Sequence, residues 1–401
     1  MPTRATPPFL SPAPPAAPVA GHATAAGTRR YAERFAGDFV GDFYRPLGAG
    51  HRDRESSRAG ARHRALTVSS IGIGTYLGDC DAGHDEAYAA GVWRALERGV
   101  NLIDTAINYR CQRSERAVGA ALAAATAEGV VSRDEVVLCS KAGYVALDGA
   151  PPATRDGYRA YLEREFFGPG VMTPDDVVAG GHCLAPAFIG HQLERSRANL
   201  RAAVVDVYYL HNPEQQLEVL DGAAFRARIR DAFALLEERV ARGEVGRYGC
   251  ATWSGLRTPP RTRGHLSLSE LVEVAREVAG EGHHFAAVQL PVNLAMPEVV
   301  RAATQELRVS LGATRTVPLL EAAAELGVAV VGCATLMQGQ LAQGLPEQLR
   351  AAFPRAATDA QRAIAFSRAL PGVASALVGM RRVEHLEENL EGVRAKAAKG
   401  E

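Results

Sequence analysis

From residue 66 onward, apolar and polar positions follow two alternating rhythms. Short β-prone apolar runs occupy 66–74, 101–105, 136–141, 205–210, 246–252, 285–290, 328–333 and 374–379. Between or after them, apolar residues recur at helical spacing over 85–97, 114–125, 186–200, 225–242, 267–278, 317–326, 359–370 and 383–396. Strands each followed by a helix pair in parallel, since a parallel neighbour needs a crossover of that length. Eight such units are the number that closes into an α/β barrel of the (β/α)8 type, with its interior filled by side chains. An open doubly wound sheet would place a GxGxxG turn after its first strand. Here that strand runs Gly72-Ile73-Gly74-Thr75-Tyr76, with no third glycine and no helix opening at once, so the pattern predicts the TIM barrel.

Three connections are longer than a barrel requires: 142–185, 253–266 and 291–315. The first carries an aromatic piece at 158–167, the second is rich in Pro and Arg, and the third predicts an extra helix. They follow the third, fifth and sixth strands and so rise over the C-terminal face, where barrels of this kind build their sites.

Residues 1–64 read as a separate Pro/Ala/Arg-rich extension ahead of a barrel spanning 65–397. That composition buries little and predicts a flexible, largely disordered segment. Within it, Tyr31, Phe35, Phe39, Phe43 and Tyr44 supply enough aromatic surface to dock as a short helix.

Lys plus Arg and Asp plus Glu both number 45, so no net field draws the chain to nucleic acid or to a membrane surface. Cys80, Cys111, Cys139, Cys183, Cys250 and Cys333 are scattered without a CxxC pair, which suits a reducing compartment. No apolar run reaches the roughly 20 residues of a membrane helix. Prolines interrupt the opening stretch where a signal peptide would need a helix, and a cytoplasmic location is expected.

Candidate chemistry gathers where strands end. The run at 101–103 stops on Asp104, and Tyr109 follows five residues later. The run at 136–140 stops on Lys141, and that at 205–210 on His211. An acid closing an apolar strand is costly to bury unless a cation meets it. Asp104 holding Lys141 charged answers that cost, and the ammonium then draws the Tyr109 phenol down from about 10. A neutral His211 can orient a carbonyl oxygen or share a proton. The set suits protonation of an oxygen on which negative charge develops while hydride reaches carbon. His182, Cys183 and His191 match no zinc spacing and bring no fourth ligand, so no metal is expected.

Here the sequence resembles the aldo-keto reductase superfamily over about 66–396. GVNLIDTAINYRCQRSERAVGAAL, VVLCSKAGY and VDVYYLHNPE resemble the segments bearing the family's aspartate and tyrosine, lysine and histidine. VGRYGCATWS, AAVQLPVNLA, VAVVGCATLMQGQL and ALVGMRRVEHLEENLEG resemble its later strands and nucleotide-binding end. The resemblance implies an NADP(H)-dependent oxidoreductase of aldehydes or ketones with Asp104, Tyr109, Lys141 and His211 as its tetrad. It also implies Gln289 at the nicotinamide carboxamide, Gly379, Met380 and Arg381 at the 2′-phosphate, and Glu388 and Asn389 at the adenine, with Thr75, Thr252, Leu336 and Arg382 completing the cofactor set. The glycine turn and arginines ahead of a helix are independently suited to an anion, and Arg381 favours NADP(H) over NAD(H).

Two positions depart from the family pattern. Ala251-Thr252 replaces a Ser-Asn pair, and Cys333 stands where an aromatic stacks on the nicotinamide, with Trp253 a candidate substitute. They motivate a second reading, an NADP(H)-sensing or regulatory subunit with little turnover. A Schiff-base enzyme using Lys141 is a third, opposed by the acid that keeps the lysine protonated.

Overall fold

The first apolar run forms two strands rather than one. A computed structural model describes residues 18–48, 65–308 and 313–395. In it β1 (Tyr44–Leu47) pairs antiparallel with β2 (Leu66–Ser69), outside the barrel sheet. Ser70 interrupts the run by donating its N–H to Phe43 O at 2.7 Å. The chain then enters the barrel as β3 (Ile71–Gly74), so the predicted strand 66–74 is corrected to a plug strand followed by a barrel strand.

The barrel continues through β4 (Leu102–Asp104), β5 (Val137–Ala142), β6 (Val205–His211), β7 (Val245–Ala251) and β8 (Phe285–Pro291). A hairpin of β9 (Ala303–Arg308) and β10 (Thr314–Pro318) stands outside it, before β11 (Ala329–Cys333) and β12 (Val373–Gly379). β12 closes in parallel on β3, completing a closed barrel of eight parallel strands. The expected extra helix at 291–315 is reduced to one turn, Glu298–Arg301, ahead of that hairpin. Gln305 ties the hairpin to the 253–266 connection by donating to Leu256 O (2.9 Å) and Leu266 O (3.2 Å).

Side-chain alternation then sets the layers. Leu102, Val137, Cys139, Val207, Tyr209, Ala287 and Val331 fill the barrel interior together with Leu47, Leu66 and Val68 from the plug. Outer faces of the strands pack against helices such as Ala82–Glu97, Arg113–Ala127 and Gly222–Ala241, forming the larger apolar cluster. Asp81, Asp221, Ser267 and Thr358 cap four of the outer helices by accepting a backbone N–H. None of the described helices is long and apolar enough to cross a membrane.

Residues 18–48 belong to this body. Helix Ala25–Arg34 places a fully buried Tyr31 against the barrel, its hydroxyl donating to Leu96 O at 2.6 Å. The rings of Phe39 and Phe43 stack 3.8 Å apart, and Tyr44 donates to Gly99 O at 2.8 Å. The expectation of one solvated extension over 1–64 therefore narrows. The aromatics at 31–44 bury too much surface to stay in water, whereas residues 1–17 and 49–64 lie outside the described residues.

Candidate active site

One layer above the apolar interior, alternation turns a polar set toward the barrel mouth. Asp104 follows Leu102, Lys141 follows Cys139, His211 follows Tyr209, and Gln289 follows Ala287. Lys141 is fully buried, so its ammonium must be paired. It donates to Asp104 Oδ2 at 2.6 Å and to Thr105 O at 2.8 Å. The other oxygen, Asp104 Oδ1, accepts from Gln289 Nε2 at 2.7 Å. Burial pulls Lys141 down, but the Asp104 carboxylate outweighs it and holds the ammonium above the ordinary lysine range.

Tyr109 arrives from the loop after β4, its ring 4.9 Å from Lys141 Nζ. Arg110, Cys111 and Gln112 follow with φ of 49°, 53° and 68°, a run of left-handed conformations rare for side-chain-bearing residues. Arg110 secures this turn by donating to Asp79 O (2.8 Å), Asp81 O (3.2 Å) and Asp85 Oδ1 (2.6 Å). Burial pushes the Tyr109 phenol up to about 12, with Lys141 pulling the other way. The expected drift of this phenol toward neutrality is thus outweighed by desolvation.

His211 packs edge-on to Tyr109 with ring centres 5.9 Å apart. Burial holds its imidazole well below the ordinary histidine range, and Lys141 and His182 add to this, so it is neutral near pH 7. His182 does not line the site. Fully buried behind it, His182 bonds His211 O through Nε2 at 2.7 Å and Gln216 through Nδ1 at 2.8 Å. Both ring nitrogens are thereby engaged. This approach requires glycine at 143, which has φ of 147° and where a Cβ would lie 2.8 Å from His211 O.

These groups sit in a cavity of about 900 Å³ at the C-terminal end of the barrel. Asp104, Tyr109, His211, Thr75, Thr252, Gln289, Leu336, Gly379, Arg381 and Arg382 all line it, while Lys141 lies beneath. Met380, Glu388 and Asn389 are not among the lining residues: Met380 and Asn389 are buried, and Glu388 is exposed. Thr252 lines the wall, but its hydroxyl donates to Glu214 Oε1 at 2.6 Å. Cys333 faces the cavity with its thiol pushed up to about 12 by burial.

Asn108, Tyr144, Asn212, Thr335 and His385 also line the cavity and were not singled out in the sequence. Adjacency was the available signal for two of them, since Asn108 precedes Tyr109 and Asn212 follows His211. Glu214 had no signal, because its partners lie some 40 residues away on another loop.

Residues 70–262 match the model of the Aldo/keto reductase family. That match bears out the resemblance. The whole fold is similar to an aldo/keto reductase from Klebsiella pneumoniae solved with NADP and acetate, at 20% identity and a TM-score of 0.53, covering 84% of this chain and 89% of that one. It is similar likewise to the aldo-keto reductase AKR11C1 from Bacillus halodurans in its holo form, at 17% identity and a TM-score of 0.53, covering 89% and 93%. No curated protein matches the chain.

Proposed function

We propose that this chain is an NADP(H)-dependent oxidoreductase that interconverts an aldehyde or ketone with its alcohol, Tyr109 acting as the general acid. One observation carries the reading: the 2.6 Å Lys141–Asp104 pair buried beneath the Tyr109 ring at the floor of an open cavity. A buried ammonium supported in this way favours negative charge on the phenol as its proton leaves, which is what protonation of a developing alkoxide requires. His211, neutral, can donate to or orient the same oxygen. In the oxidative direction Tyr109 takes the alcohol proton.

The residues present fit NADP(H). Arg381 and Arg382 line the cavity ahead of helix Val383–Glu391, a suitable grip for a 2′-phosphate. The buried Thr335 hydroxyl, also in the lining, has no partner among the described residues and can serve a cofactor polar group. Gln289 reaches the same floor as Asp104 and suits the carboxamide. Hydride is the chemistry that bound NADPH supplies. Six free cysteines, four of them buried, agree with a cytoplasmic setting.

The test is single-turnover oxidation of NADPH by a reactive aldehyde. Tyr109→Phe keeps the ring and removes the proton, so the rate should fall about 10²–10⁴-fold while NADPH affinity holds. A Tyr109→Phe enzyme as fast as the parent overturns the assignment. The second reading, an NADP(H)-binding regulatory subunit, is favoured by the engaged Thr252 hydroxyl and by Cys333. It predicts tight NADPH binding with no aldehyde-dependent oxidation in the parent.

A further inference from the structure

Among the described residues four large apolar side chains are notably exposed, and three of them, Tyr76 (56%), Leu77 (36%) and Trp253 (49%), line the cavity. Exposed rings concentrated at one opening mark a binding surface rather than scatter. Tyr76 meets the Tyr109 ring edge-on at 5.0 Å, and Tyr144 meets His211 likewise at 5.0 Å. Both rings therefore flank the atoms proposed to react.

Trp253 is exposed on a turn that is unusually well fixed. The buried Glu214 carboxylate accepts through Oε1 from the Thr252 hydroxyl (2.6 Å) and from the N–H groups of Trp253 (2.9 Å), Ser254 (3.1 Å) and Gly255 (3.3 Å). Arg257 donates to Trp253 O at 2.8 and 3.1 Å and is itself held by Glu298 at 3.0 Å. Burying a carboxylate is costly, and four donors offset the cost. The product is an aromatic ring presented to the cavity on a backbone that loses little freedom when a ligand stacks on it.

Charge completes the description. Tyr76, Asn108, Tyr144, Asn212 and Trp253, on loops after β3 to β7, are all uncharged, and the lining acid at that end, Asp104, is already paired with Lys141. The lining cations Arg381 and Arg382 stand after β12, and Arg110 and Arg257 are engaged in ion pairs. A carboxylate or ammonium on the substrate would find no unpaired counter-ion there.

We propose that this half of the cavity takes the aromatic ring of an uncharged carbonyl compound, with Trp253 as its platform and Glu214 as the residue that positions it. The inference rests on the proposed carbonyl reduction and names its substrate class.

The experiment compares benzaldehyde, cyclohexanecarbaldehyde and 4-carboxybenzaldehyde with NADPH in the full chain. Benzaldehyde should exceed the saturated aldehyde by about tenfold in kcat/KM, mostly through KM, and the carboxylated ring should be the poorest. Trp253→Leu should bring the first ratio near one with NADPH affinity unchanged. Glu214→Gln, which keeps an acceptor, should retain the preference, and Glu214→Ala should lose it. Equal rates for the two rings in the parent, or a preference that survives Trp253→Leu, overturns the proposal. So does a Trp253→Leu variant that weakens NADPH instead, because the ring then serves the cofactor. If no aldehyde is reduced, benzamide with NADP⁺ replaces them, read by the fluorescence of the exposed Trp253 above the constant signal of the buried Trp93. Quenching that disappears in Trp253→Leu upholds aromatic recognition while the proposed reaction fails, and absence of quenching overturns both.

Discussion

At the residue scale the site depends on one buried cation. Lys141 has no route to water, and its charge is sustained by Asp104, which Gln289 holds from the far side. Lys141→Met strands the Asp104 carboxylate and removes the group that offsets burial at Tyr109. The hydride step should slow, and its alkaline limb should move up, since the phenol already lies near 12 with the cation in place. Rate against pH in single-turnover NADPH oxidation checks this, and a downward move refutes the role of Lys141. Arg381 acts at the other end of the cavity. Arg381→Ala should narrow the preference for NADPH over NADH by on the order of 1.5–3 kcal/mol, read by fluorescence titration with each cofactor. Equal affinities in the parent remove Arg381 from the phosphate site. Asp104, Lys141 and His211 were legible in the sequence because each closes an apolar strand-like run, and Tyr109 because it follows Asp104 on the next loop, whereas Gln289 and Arg381 were named through the resemblance. Glu214 was not legible, because its worth comes from N–H groups on the next loop. Met380, Glu388 and Asn389 were named by resemblance, and the cavity does not reach them.

At the element scale, the long connection from Gly143 to Ala185 acts as a support behind the site. Its His182 carries the backbone of His211, while Gln192 accepts from Gly143 N at 3.0 Å and donates to Tyr144 O at 2.6 Å. Burial pushes His182 down to about 4, so it stays neutral where the unfolded chain's histidine, near 6.5, takes up a proton. The unfolded state then binds more protons between pH 6.5 and 4, and stability rises with pH across that window. His182 therefore contributes fully above about 6.5, and its contribution is lost as pH falls, by about 1.4 kcal/mol per unit down to 4. Urea unfolding of His182→Gln against the parent should show a shallower acid loss in that window. Parallel curves would mean that the imidazole titrates normally. The elements around this support were read unevenly from the sequence. Eight strands of matching apolar character were visible, whereas the break at Ser70 depends on Phe43, a neighbour only in the fold. The β9–β10 hairpin likewise depends on Gln305 reaching another connection, a contact that no local pattern encodes.

At the scale of the whole molecule, the barrel is closed from below by a segment whose composition reads as solvated. Leu47 joins the barrel-interior cluster, and Tyr31, Phe39 and Phe43 join the outer one. Arg45 donates to Arg368 O (2.7 Å) and Val373 O (2.9 Å), and Ala23 N donates to Asp206 at 2.7 Å. Asp206 also takes Arg133 at 2.8 Å, so the same segment covers a buried ion pair that would otherwise meet water. The Pro excess that marks the region as extended is concentrated in residues 1–17, and it masks the aromatic spacing that follows. Removing residues 2–17 should leave the melting temperature unchanged, since that composition supplies no core. Removing residues 2–48 discards several buried aromatics at about 2–3 kcal/mol each and uncovers the apolar floor. For a chain of this size the melting temperature should drop by on the order of 10 °C. NADPH binding should persist at low temperature, because Arg381 and the tetrad lie at the opposite end of the barrel. Scanning calorimetry of both truncations, with an NADPH titration at 10 °C, separates the cases. If the longer deletion melts with the parent, the segment only rests on the barrel. If NADPH affinity falls with stability even in the cold, the floor and the mouth are coupled through the interior.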